Sequence, residues 1–237
     1  MKVEGGGGEA GNSWSMLRAR RAVPACKPER ALQGKGKTGQ LFLAWFAFAL
    51  LTACDRAPQL PKLQANDAVV AFGDSLTEGV GAGAESTYPA WLSKTTGHAI
   101  INAGISGETT AEGLERLPAM LEEHRPKLVL LCLGGNDMLR QQNMASTESN
   151  LRKIIQTIRA SGASVVLIGV PEPKLFSSPP ALYEKLADEF DLPYEGEIFD
   201  EVLKNPRLKS DPIHANAEGY RLVAERLAEL LKEAGAL

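Results

Sequence analysis

The chain has 237 residues, 44% hydrophobic and 23% charged, with a formal net charge of −3. That length allows one or two domains, and the slightly acidic balance argues against a nucleic-acid partner, which would favour a basic face. The three cysteines, Cys26, Cys54 and Cys132, have neither the paired spacing of a zinc site nor the density of a disulfide framework.

Residues 1–40 are rich in glycine, arginine and lysine and carry almost no apolar periodicity. An unbroken apolar run follows over 41–51. It is shorter than the roughly 17–25 residues of a spanning helix and fits the roughly 7–15 of a signal-peptide core. Lys35 and Lys37 supply the positive flank. The run closes on Leu51-Thr52-Ala53-Cys54, which resembles a bacterial lipobox: cleavage before Cys54 and lipid on its sulfur. A short uncleaved anchor with an incidental cysteine is the other reading. Residues 1–31 are long for such a leader, and a translation start further in would account for them. The expected organisation is a leader and lipoprotein signal peptide over 1–53, a lipidated cysteine and flexible tether over 54–66, and one folded domain over 67–237. Such a protein faces the periplasm from the bacterial cell envelope, on either the inner or the outer membrane.

Strands and helices alternate through the folded part. The apolar stretch 68–73 reads as a buried strand that ends at Gly73 and delivers Asp74 and Ser75 to its C-terminal edge. Residues 88–96 read as a helix, 99–103 as a short strand, and 110–124 as a helix interrupted by Pro118. The continuous apolar run 128–133 fits a strand buried on both faces. Leu151, Ile154, Ile155 and Ile158 give 147–160 a helical period. Residues 164–170 read as a buried strand, 171–180 with four prolines as loop, 182–190 as a helix, and 194–198 as ambiguous. Tyr220, Val223, Leu227 and Leu230 share one face of a closing helix over 217–232. The alternation predicts an α/β fold with a parallel sheet covered by helices on both sides.

Ligands bind at the C-terminal edge of such sheets. Gly73-Asp74-Ser75 falls there, although alone it fits a helix N-cap as well as a nucleophile. Asn102 to Thr109 follows the second strand, Gly134-Gly135-Asn136-Asp137 follows the third, and Asp211-Pro212-Ile213-His214 precedes the last helix. Each stretch alone suits an ordinary turn. Together they contain a nucleophile, a base, an orienting carboxylate and candidate oxyanion donors.

These four stretches resemble, in order and spacing, the four signature blocks of the SGNH/GDSL hydrolases, over residues 68–237. Within that family the likeness is greatest to the bacterial periplasmic thioesterase I, lysophospholipase and arylesterase group. A departure is Asp-Pro-Ile-His-Ala-Asn, where relatives often have glycine after the aspartate and proline after the histidine. The resemblance implies a flavodoxin-like αβα sandwich. It implies Ser75 as nucleophile, His214 as general base and then acid, and Asp211 as the residue that orients His214. The oxyanion donors would be the Ser75 N–H, the Gly107 N–H and the side-chain amide of Asn136. Gly73 to Thr77 is not Gly-x-Ser-x-Gly, which argues against the α/β-hydrolase elbow. No metal cluster or nucleotide loop is present in the sequence, and no cofactor is implied. His98 beside a turn glycine and His124 at a helix end are not expected in catalysis.

The expected substrate is an acyl ester or thioester, as a small molecule or a lipid. Its pocket walls are expected from 138–144 and 175–183, chiefly Met138, Leu139, Leu175 and Phe176, with Met144, Leu182 and Tyr183 nearby. An acetylesterase of cell-envelope carbohydrate, or a non-catalytic ligand-binding lipoprotein, would use the same fold. The sequence carries no sign of oligomeric state.

Overall fold

The computed structural model describes residues 57–173 and 178–237. Its centre is a parallel five-stranded sheet: β1 (Val69–Gly73), β2 (Ile100–Gly104), β3 (Leu128–Cys132), β4 (Ser164–Ile168) and β5 (Tyr194–Glu195), in the order β2-β1-β3-β4-β5. β1 and β3 are buried along their whole length. They read as continuous Val, Leu and Phe runs because helices cover both faces of the sheet. On one face α2 (Tyr88–Thr96) packs against α8 (Ala217–Glu233), and on the other α3 (Thr110–His124) packs against α5 (Met144–Ala160). The direction of strand addition reverses between β1 and β3, which opens a crevice at their C-terminal ends.

Several boundaries differ from the sequence reading, each for a local reason. Pro118 sits inside α3 without ending it. The capping box of Thr109 and Glu112 starts that helix, and Leu117, Met120 and Leu121 bury its far half against the core. Helix α5 begins a turn earlier than its apolar period, because the Asn143 side chain accepts the Ala145 N–H. The ambiguous stretch resolves into β5 and a helix α7 (Ile198–Lys204), whose Ile198, Phe199 and Val202 are buried. Two short helices, α1 (Ser75–Glu78) and α4 (Gly135–Leu139), follow β1 and β3 directly. Their apolar period is too short to detect in the sequence. The helix of 182–190 is α6 (Leu182–Phe190).

The described part of the expected tether is attached to the domain. The Leu60 and Leu63 N–H groups donate to the Ala234 and Ala236 carbonyls, and Leu63 is buried. This contact lies at the C-terminal end of α8, a helix of 17 residues, about 25 Å long at the α-helical rise. The other end of α8 starts beside His214.

Candidate active site

The site is built from the turns that leave β1, β2 and β3 and from the turn that enters α8. Gly73 ends β1, where a Cβ would lie 2.2 Å from Thr77 Oγ1 and 2.3 Å from the Cys132 carbonyl. Only glycine lets the chain turn that tightly into α1. Asp74 caps α1 by accepting the Leu76 N–H, at 3.1 Å, and also accepts the Gly135 N–H. Ser75 is therefore the first residue of a helix, where the N–H has no intrahelical acceptor.

The histidine is delivered by a tight turn. Asp211 Oδ1 accepts the Ile213 and His214 N–H groups at 2.8 and 2.9 Å, and Asp211 Oδ2 lies 2.7 Å from His214 Nδ1. The Ser210 N–H donates to the His214 carbonyl, and Lys209 and Ala215 pair as an antiparallel bridge, which closes the loop. His214 Nε2 then lies 3.0 Å from Ser75 Oγ. Tyr220 of α8 donates to the Val80 carbonyl, tying the histidine's helix to the serine's loop. The His214 side chain is 13% exposed and that of Asp211 43%. Partial burial pushes the Asp211 carboxyl up, but its bonds from His214 and from the Ile213 and His214 N–H groups outweigh that and hold it below the ordinary range. Chemically, this is a hydroxyl within hydrogen-bond distance of an imidazole whose far nitrogen is held by an ionised carboxylate.

Asn136 lies in α4, next to the Gly135 that bonds Asp74. Its Nδ2 donates one hydrogen to the Glu108 carbonyl at 3.0 Å. The second hydrogen diverges from the first in the amide plane. Gly107 has φ +81°, a left-handed backbone that glycine adopts without strain, and its carbonyl accepts a bond from Arg140. Asp137 is fully buried and accepts the Thr110 N–H at 2.9 Å, the Thr110 hydroxyl at 2.6 Å and the Thr147 hydroxyl at 3.2 Å. It joins α4 to the starts of α3 and α5.

A cleft of about 420 Å³ opens beside Ser75, Asn136 and His214. Its walls are mainly apolar: Leu139, Val170, Pro171, Leu203, Pro206 and Ile213, with Lys204 and Lys209 among the polar lining. Of the expected wall residues, Leu139 lines this cleft and is 45% exposed. Met138 and Met144 instead pack against the core, and Leu182 and Tyr183 are buried in it. The cause for Met138 is helical: adjacent residues of α4 point in different directions, so only Leu139 is left facing out. Tyr183 is committed to the core, where its hydroxyl donates to the Leu133 carbonyl at 2.8 Å. Leu175, Phe176 and Cys54 lie outside the described residues. Leu203 and Pro206 were not anticipated. The stripe of Ile198, Phe199 and Val202, buried on one face of α7, was the available signal, and the sequence reading assigns no element there beyond the ambiguous 194–198.

Comparison with known proteins agrees with this arrangement. Residues 71–222 match the model of the GDSL-like Lipase/Acylhydrolase family. The chain is 37% identical to the thioesterase 1/protease 1/lysophospholipase L1 of Escherichia coli (strain K12), an alignment covering 72% of this chain and 86% of that protein. It is 34% identical to an arylesterase of Vibrio mimicus, over 71% of this chain and 90% of that one. The crystal structure of TesA superposes with a TM-score of 0.65 at 30% identity, covering 71% of this chain and 99% of that one. With its four loops converging on one crevice, this chain belongs to the GDSL-like lipase/acylhydrolase, or SGNH hydrolase, family.

Proposed function

We propose that this ester and thioester hydrolase acts on medium-chain acyl groups through an acyl-enzyme on Ser75. The observation that carries the mechanism is the continuous path from Ser75 Oγ to His214 Nε2 at 3.0 Å and from His214 Nδ1 to Asp211 Oδ2 at 2.7 Å. Ser75 Oγ attacks the acyl carbonyl carbon while His214 Nε2 takes its proton. The carbonyl π electrons move to oxygen, and the N–H groups of Ser75 and Gly107 and the free hydrogen of Asn136 stabilise that oxyanion. Collapse expels the alcohol or thiol, which leaves with the proton from His214. Water then repeats the sequence on the acyl-enzyme and frees the acid. Asp211 stays ionised throughout and holds the imidazole tautomer. Donors of this kind are each worth about 10²–10³ in rate.

The cleft supports the substrate reading. Its volume of about 420 Å³ and largely apolar walls suit an acyl chain better than an acetyl group on a sugar. Each buried CH₂ is worth about 0.8 kcal/mol until the walls are filled. A p-nitrophenyl ester series tests this directly: kcat/KM should rise from acetate into the medium chains and then level. A maximum at acetate would favour the acetylesterase reading. Lysophospholipids and acyl thioesters should be accepted as well, since the serine meets only the carbonyl and its leaving group.

The sequence also supports a lipoprotein held in the cell envelope by lipid on Cys54. The described chain joins the domain through Leu60 and Leu63 at the end of α8 remote from His214. Mass spectrometry of the mature N-terminus should find a lipidated Cys54, and a mature chain that begins elsewhere without lipid would refute it.

A further inference from the structure

Three carboxylates are buried around the serine: Asp74 at 1% exposure, Asp137 at 0% and Glu108 at 6%. The first two are held by N–H and hydroxyl donors. Glu108 receives a cation. Arg116, on α3, donates from Nε to Glu108 Oε1 at 2.7 Å and from Nη2 to Glu108 Oε2 at 2.7 Å. The same Nη2 reaches the Ala103 carbonyl at 3.0 Å, and the guanidinium lies 4.2 Å from the centroid of the Phe72 ring. One side chain thus holds the end of β2, the side chain of Glu108 and a ring of β1. A planar two-pronged donor fixes position in a way that an ammonium does not. A buried ion pair is also a weak source of net stability, since desolvation offsets much of the attraction.

What Glu108 does with its main chain gives that position a consequence. Its carbonyl accepts one of the two amide hydrogens of Asn136. That bond sets the rotation of the amide, and so the direction of the second hydrogen. Gly107 is the residue immediately before it.

We propose that Arg116 is a positioning residue for the Asn136 donor: by clamping the Glu108 side chain it holds the Glu108 carbonyl in place, and through that carbonyl it aims the Asn136 amide. The inference rests on the reading of Asn136 as an oxyanion donor. Its effect falls on the transition state, where a donor misplaced by a fraction of an ångström loses most of its value.

The test is a double-mutant cycle on kcat for a p-nitrophenyl ester, counted per active site by fluorophosphonate titration so that misfolded protein drops out. Arg116→Lys keeps the charge but loses the fork. It should lower kcat about ten-fold, with KM changed less than about two-fold, as expected for an interaction used only in the transition state. In an Asn136→Ala background the same change should cost less than about two-fold. The pair Glu108→Gln with Arg116→Met removes both charges without leaving a buried ion unpaired, and should show the same pattern if Arg116→Lys folds poorly. Equal losses in both backgrounds, or no loss in the wild-type background, overturn the inference while the donor reading stands. An Asn136→Ala enzyme at the wild-type rate overturns the donor reading and this inference with it.

Discussion

The two sides of the cleft are built by different means. The catalytic side is polar, buried and cross-bonded: Asp74 ties α1 to α4, Asp137 ties α4 to α3 and α5, and Glu108 ties the loop after β2 to Asn136 and Arg116. The opposite side is a set of apolar surfaces from the ends of β4 and α7 and from the His214 loop, with Leu139 left half-open. Bond-making needs particular atoms at particular places, whereas holding an acyl chain needs only apolar area. The first demand restricts residue types at fixed points in the chain. The second is met by many residue types.

The largest way to break that contrast is on the catalytic side. Ser75→Ala should lower ester hydrolysis by about 10⁴-fold or more and leave the circular dichroism spectrum unchanged. A folded variant with wild-type turnover would refute the mechanism.

The second effect is on stability. Burial raises the Asp74 carboxyl from its ordinary 3.8 to about 7, against the lowering effect of the Leu76 N–H, with Glu108 and Asp137 adding repulsion. The folded state therefore binds a proton in this window that the unfolded state has released. For such a group, stability falls as pH rises from the unfolded pKa to the folded one. Denaturation of wild type and Asp74→Asn across pH 4 to 8 should show wild type losing up to about 4 kcal/mol relative to the variant. Parallel curves would show that Asp74 stays ionised in the fold. Asp211 has the opposite sign: held below the ordinary carboxylate range, it contributes stability above that range that is lost as pH falls through its folded value.

Asn136→Ala should come next, slowing kcat by about 10²-fold with a much smaller change in KM. Steady-state kinetics on one ester would check it. An effect on KM alone would move Asn136 from the transition state to substrate binding.

The smallest effects belong to the apolar side. Leu139→Asp and Leu203→Asp should each lower kcat/KM on medium-chain esters about ten-fold, the loss of roughly two buried CH₂ groups, and change acetate less than about two-fold. Equal losses on acetate would place these residues in the catalytic geometry rather than along the acyl chain.

The same contrast explains how much of the molecule was legible in its sequence. The strand runs 69–73 and 128–132 could be read because burial on both faces leaves no polar residue in them. The stretches that hold Gly73, Ser75, Gly107, Asn136, Asp211 and His214 each suit an ordinary turn alone and read as a site through their joint resemblance to the SGNH/GDSL signature blocks; the structure brings Ser75, Asn136 and His214 to one cleft. The wall of that cleft was read poorly. Met138 looked equivalent to Leu139 until a short helix separated their directions, and Leu203 belongs to a helix that the sequence reading leaves unassigned beyond the ambiguous stretch 194–198. Arg116 and Glu108 carry no local signal of their pairing, because eight residues apart on a helix and the loop before it they meet only through tertiary packing.

The most direct test of the account is covalent. Fluorophosphonate treatment of the wild-type enzyme, followed by peptide mass spectrometry, should place a single adduct on Ser75, and His214→Ala should slow that labelling by at least about 10²-fold because the serine loses its base. An inhibited enzyme with Ser75 unmodified, or a His214→Ala protein labelled at the wild-type rate, would contradict it.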